Sequence, residues 1–184
     1  MAFQNETVSV LIRLSSMLGV ISLLLAAIAS AFVKQIYQVT HRPFKRIHHF
    51  LAIGGTVLIT LHPVLFALQM KSLNVFIPIV SSWSAFLSWG GRVGIFLIYL
   101  AALAALTMKK IPSWWRQGHW LVYLGLLLGG VHALRLGQDL VNPAFKILGF
   151  ILLGLIGLVF FYKRWRKPVA APAKPPPPES LASK

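Results

Sequence analysis

Residues 46–68 read RIHHFLAIGGTVLITLHPVLFAL, and residues 114–137 read WWRQGHWLVYLGLLLGGVHALRLG. Each stretch has the length needed to cross a hydrocarbon layer about 30 Å thick, and each holds a histidine near both of its ends. Three further apolar runs flank them, so the predicted spans are residues 7–33, 47–70, 92–108, 118–137 and 144–162. The expected fold is all-α: a polytopic membrane helix bundle of about five transmembrane helices.

Composition agrees. Of 184 residues, 57% are hydrophobic and 11% charged, and the mean hydropathy is +0.75, which excludes a disordered chain and argues against a soluble globular domain. Lys and Arg total 18 against three acids, a net charge of +15. Because the cations lie between long apolar runs, the positive-inside bias of membranes explains them better than nucleic acid does, and no nucleic-acid partner is expected. The partner implied by composition is membrane lipid. There is no cysteine, which removes iron–sulfur clusters held by cysteine, thiolate or CxxCH-attached haem, and thiol catalysis. With only Glu6, Asp139 and Glu179 as acids, paired-carboxylate catalysis and carboxylate-bridged di-iron chemistry also lack their parts. Six histidines remain as the main chemical resource.

The connections set the expected orientation. Lys34, Arg42, Lys45 and Arg46 lie between the first two spans, Lys109, Lys110 and Arg116 between the third and fourth, and Lys163, Arg164, Arg166 and Lys167 after the fifth. These regions are expected at the cytoplasmic face, with the N-terminus outside and the C-terminus inside. Trp114, Trp115, Trp120 and Trp165 fit an inner aromatic belt, Trp83 and Trp89 an outer one. The first span lacks a basic n-region and exceeds a usual signal-peptide core, so it reads as a membrane anchor. Residues 72–91 form an apolar run broken by Pro78 and too short to cross, predicted to lie along the outer interface. Residues 168–184 form a Pro-rich tail that cannot pack a core and is expected to be disordered. Residues 1–167 are then the transmembrane domain. No G-x-G-x-x-G or P-loop pattern supplies a nucleotide site.

His48 and His62 are 14 residues apart, about 21 Å of rise and some 40° from whole turns. His119 and His132 are 13 apart, about 20 Å of rise but roughly 140° out of register on an ideal helix. That second pair requires helix distortion, tilt or different ligand rotamers, and Gly125, Gly129 and Gly130 are expected places for it. The two spans run in the same direction, so His48 is level with His119 and His62 with His132. Two levels of two facing imidazoles are what two stacked b-type haems require, each iron taking one axial nitrogen from each helix. A single intramembrane histidine reads equally as a packing residue or a proton relay. Four at matched depths favour the cofactor, since one haem pair explains the burial of all four. Zinc lacks an HExxH motif or a tight ligand cluster.

His49 points about 100° from His48 on an ideal helix and is assigned to the haem surroundings, with His48 the preferred ligand. His41 reads as solvated. For the haem propionates, Arg42, Lys45, Arg46 and Arg116 are available at the inner level and Arg13, Arg92 and Arg135 at the outer one, although topology alone also places cations at the inner surface. Arg13 either snorkels or pairs with an outer propionate. Gly55, seven residues from both His48 and His62, is open to two readings: clearance for a porphyrin edge, or close helix packing together with Gly54. Phe50, Trp120 and Tyr123 read as packing or belt residues.

With these motifs in place, the chain resembles the ferric reductase-like transmembrane domain superfamily, which includes NADPH oxidases, eukaryotic ferric reductases and the bacterial haem-binding membrane subunit of the methionine sulfoxide reductase system. The resemblance rests on H-x13-H at His48 and His62, H-x12-H at His119 and His132, and W-R-Q-x-H-x-x-V-Y-L from Trp115 to Leu124, and it covers residues 42–135. It implies that His48, His62, His119 and His132 ligate two b haems that carry electrons across the bilayer, and it implies a prokaryotic plasma membrane. Members commonly have six helices against the five expected here, so an N-terminal helix is expected to be missing. The tail has no room for the flavin and nicotinamide domain of the larger members. A separate electron donor is therefore expected: a flavoprotein reductase, a membrane quinol, or a flavin bound at the inner surface. The outer acceptor is left open, and a quinol-oxidising cytochrome b subunit or a non-redox permease stand as the alternatives.

Overall fold

The structure, a computed structural model, describes residues 6–165, the side chains of Gln138 and Asp139 excepted. The Pro-rich stretch 168–184 lies outside the described residues. Among them, all regular structure is helical: α1 (Glu6–Ala29), α2 (Val33–Thr40), α3 (Phe44–Met70), α4 (Trp83–Ser88), α5 (Gly90–Leu106), α6 (Trp115–His119), α7 (Leu121–Leu136) and α8 (Pro143–Trp165). Two short 3₁₀ turns, Leu73–Phe76 and Gln138–Val141, complete the order.

Four spans are long and apolar enough to cross a membrane: α1, α3, the α6–α7 stretch from Trp115 to Leu136, and α8. This is the signature of an integral membrane protein. The fifth expected span corresponds to α5, whose 17 residues rise about 26 Å. Exposed apolar stripes run along these helices, as at Leu11, Leu14, Leu18 and Leu25 on α1 and at Ile53, Val57, Leu61, Val64 and Leu68 on α3. Spacing of three, four and seven residues makes each stripe one face, suited to lipid.

Local chemistry sets the helix ends. α1 stops at Ala29, short of the expected residue 33, and a separate short helix α2 follows. α2 ends on His41 in the left-handed conformation (φ 52°), whose N–H bonds Tyr37 O, and Pro43 two residues on disfavours helix at Arg42. α3 ends the same way on Lys71 (φ 50°). Residues 72–89 contain no helix longer than the six residues of α4, in keeping with the interruption expected from Pro78.

Packing is strongly pairwise: α1 lies along α3, and α5 along α7, with α8 against α7. Both principal contacts are made by glycine. A Cβ on Gly55 would come within 2.8 Å of Leu23 Cγ and 3.0 Å of Gly19 O, and a Cβ on Gly125 within 2.7 Å of Gly94 O. Only residues without side chains allow backbones this close, the usual device for helix association where lipid removes the hydrophobic drive. Of the two readings of Gly55, the structure supports close packing: the residue is turned toward α1. Gly54 meets nothing within 4 Å.

Candidate functional site

The four spanning histidines share one geometry. Nδ1 of His48 lies 3.0 Å from Ala26 O, and Nδ1 of His62 lies 3.0 Å from Ile12 O, both on α1. Nδ1 of His119 lies 3.1 Å from Ala101 O on α5, and Nδ1 of His132 lies 2.6 Å from Ser88 O at the end of α4. A carbonyl oxygen can only accept, so in each ring Nδ1 carries the proton and donates. In the neutral ring that fixes the lone pair on Nε2, the atom a metal would take; metal-bound histidines commonly donate their other N–H to a backbone carbonyl.

The acceptors repeat the donors' spacing. Ala26 and Ile12 are 14 residues apart, as are His48 and His62. Ala101 and Ser88 are 13 apart, as are His119 and His132. Each histidine helix therefore runs antiparallel to a companion that meets it by backbone carbonyl at two levels about 20 Å apart. Gly19 and Gly55 stand midway along the first pair, Gly94 and Gly125 near the middle of the second.

The pairs face each other through their histidines. The rings of His48 and His119 have centroids 6.3 Å apart. Two metal–nitrogen bonds of about 2 Å each, with about 1.1 Å from nitrogen to ring centre, require roughly the same separation. His62 and His132 lie close enough to act on each other electrostatically. α3 and α6–α7 thus run in the same direction, as expected. Among the described residues no three His, Cys, Asp or Glu side chains gather in a metal-holding group. A bare zinc ion wants about four protein ligands; two opposed imidazoles suit an iron whose other ligands come from a macrocycle.

The span bearing His119 and His132 passes from α6 to α7 at Trp120, whose N–H is shared between Arg116 O and Gln117 O at 3.1 Å each. Gly125 is used for contact with Gly94 and Ile98, and Gly130 for contact with Leu153.

The remaining candidates are dispersed. His49 is exposed, its ring centroid 6.0 Å from that of His48, and His41 is exposed on the connection before α3. Arg13 is half-buried and adjoins Ile12, the acceptor for His62. Arg46 is exposed in the first turn of α3. Arg116 is exposed, its guanidinium 5.7 Å from the Trp115 ring centre. Arg92 Nη1 donates to Asn74 O (2.9 Å) and Ile77 O (2.7 Å), and Arg135 Nη1 reaches Ser84 and Ser88 oxygens at 3.2–3.4 Å. These two arginines fasten residues 74–88 over the His62 and His132 level.

Sequence reasoning missed the carbonyls of Ile12, Ala26, Ser88 and Ala101, which depend on pairing and carry no side-chain signature. It also missed Gly91, where a Cβ would come within 2.6 Å of His132 Cδ2; this glycine lets the ring lie on the α5 backbone. No known family profile matches the chain, and neither a curated protein nor a solved structure does.

Proposed function

We propose that the chain is a ferric reductase-like membrane cytochrome: a five-crossing bundle with the N-terminus outside and the C-terminus cytoplasmic, holding one b haem at each histidine level and serving as the electron-transfer subunit of an oxidoreductase. The observation that carries this reading is the common Nδ1–H···O=C bond of His48, His62, His119 and His132. A helix pair needing only packing has no reason to fix four rings in one tautomer with Nε2 as the remaining donor atom.

A haem held by one histidine of each helix pair would supply a reversible one-electron carrier at that level. The chain's own part is to hold and to insulate. His48 and His119 offer Nε2 at the inner level, His62 and His132 at the outer one. The carbonyls of Ile12 and Ala26 on α1, Ser88 on α4 and Ala101 on α5 orient the rings and raise their basicity. Arg13, Arg46 and Arg116 stand near the two ends of the bundle, where propionates need cations. Electrons enter from a separate cytoplasmic or membrane donor, with a flavin or quinone at the inner surface as the candidate intermediary, and leave to an outer acceptor.

The test is the absorbance of the purified full chain, expressed with ample porphyrin supply. About two b haems per chain are expected, reducible by dithionite, with the split alpha bands of six-coordinate low-spin iron. A polypeptide colourless in both states overturns the reading and leaves the histidines as a proton relay or as packing residues.

A further inference from the structure

α8 carries no histidine, yet it reaches the His48 level through one side chain. Lys163, in its last turn, donates from Nζ to Ser30 Oγ at 2.8 Å. Ser30 in turn donates to Ala27 O at 2.6 Å, one residue from Ala26, whose carbonyl orients His48. The Tyr123 hydroxyl also interacts with Ser30. Ser30 thus joins α1, α7 and α8 beside the inner imidazole pair.

The other cations here behave differently. Arg164 lies over the Trp120 ring at 4.9 Å and Arg116 over Trp115 at 5.7 Å, each against an aromatic ring rather than a hydroxyl. Lys163 is open along its stem but turns its ammonium onto Ser30. An ammonium has three donors, and Ser30 takes one. A cation at a hydrocarbon boundary is costly without an anion. Among the described side chains the one carboxylate is Glu6, which opens α1 at the His62 and His132 level. Glu179 lies outside the described residues.

We propose that Lys163, positioned by Ser30, is the carboxylate-binding group for a propionate of the haem held by His48 and His119. This rests on the two-haem reading. Reduction adds an electron beside the cation, so removing the cation must lower the potential of that haem alone.

The experiment uses the full chain in neutral-lipid nanodiscs, with spectroelectrochemical titration of both haems. In Lys163→Met one midpoint falls by a tenfold change in the ferric/ferrous equilibrium, about 59 mV for one electron. The same shift is seen in a His62→Ala background, where only the inner haem is expected. Lys163→Arg stays near wild type, and Lys109→Met, a cation of the same face, moves neither haem. Ser30→Ala shifts the same haem by less, which keeps the test open should Lys163→Met not fold. With natural porphyrin, Lys163→Met also weakens retention of the inner haem several-fold; with the porphyrin dimethyl ester, which offers no carboxylate, residue 163 makes no difference to retention. A retention loss equally large for the ester, or unmoved midpoints in a protein that does contain two haems, each overturn the Lys163 assignment alone. A colourless wild type overturns the two-haem reading and this inference with it.

Discussion

The α1–α3 pair and the α5–α7 pair perform one task with different helices. Both are antiparallel, both cross glycine on glycine, and both tie two histidines to the companion's carbonyls. In the first pair both helices are continuous, and 14 residues separate its histidines. In the second the interval is 13, and each helix is broken next to a bonded group: at Trp120 beside His119, and at Trp89 beside Ser88. A 14-residue interval keeps two side chains on nearly one face of a straight helix, whereas 13 residues do not. In both cases the change of element falls at tryptophan, the residue suited to a membrane interface. Arg92 lies 4.5 Å from the Trp89 ring centre and Arg164 4.9 Å from that of Trp120, so both breaks are covered by a cation.

The largest effect is expected from destroying either crossing. Gly55→Leu drives a side chain into Leu23 and Gly19 O, and Gly125→Leu into Gly94 O and Ile98. Overpacking typically costs about 1–3 kcal/mol, and more where the obstacle is backbone. Each level draws one histidine from each pair, so either variant is expected to lose both haems, measured as pyridine haemochrome per folded chain. Retention of one level would break the comparison.

Next come the four histidines proposed as ligands. His62→Ala and His132→Ala are expected to lose the same half of the haem, and His48→Ala and His119→Ala the other half. His49→Ala keeps both, because His49 is exposed and outside the paired geometry. Equal, undiminished haem in His62→Ala contradicts the pairing directly. A milder and more local change is Gly91→Val, whose Cβ meets the His132 ring. Several-fold weaker retention of the His62 and His132 haem is expected, with the other spectrum unchanged, read by resolved low-temperature absorbance bands.

How much of this was legible beforehand differs by kind of interaction. Four of the five expected spans were readable because apolar length needs no tertiary context, and the interruption within residues 72–91 because of Pro78. The histidine levels followed from counting along single helices. The roles of Gly125 and Gly130 were not readable, since glycine permits distortion but is also what close packing uses, and packing claimed both. The acceptor carbonyls were invisible because every residue has one; only the register of α1 on α3 selects Ile12 and Ala26. Gly19, the single glycine of α1, was the available clue to that register. Lys163 was readable as a topological cation, but its bond to Ser30 spans 133 residues of sequence and leaves no local trace.

The smallest effect is expected where the two pairs touch directly. Thr60 Oγ1 and Tyr99 OH lie 2.7 Å apart, linking α3 to α5, and Thr60 Oγ1 also donates to Thr56 O at 2.7 Å. With that proton engaged, the tyrosine must donate to the Thr60 oxygen, so Tyr99→Phe removes the donor while keeping the ring. Hydrogen bonds between membrane helices average about 0.6 kcal/mol, and the Thr60 oxygen keeps its own intrahelical bond. Tyr99→Phe should therefore lower stability by about that amount in a reversible unfolding titration and leave both haems in place. If the halves are held together mainly through the histidine levels, removing haem should destabilise the chain far more than Tyr99→Phe does. A larger loss from Tyr99→Phe than from haem removal would make the α3–α5 contact, rather than the four imidazoles, the principal joint between the two pairs.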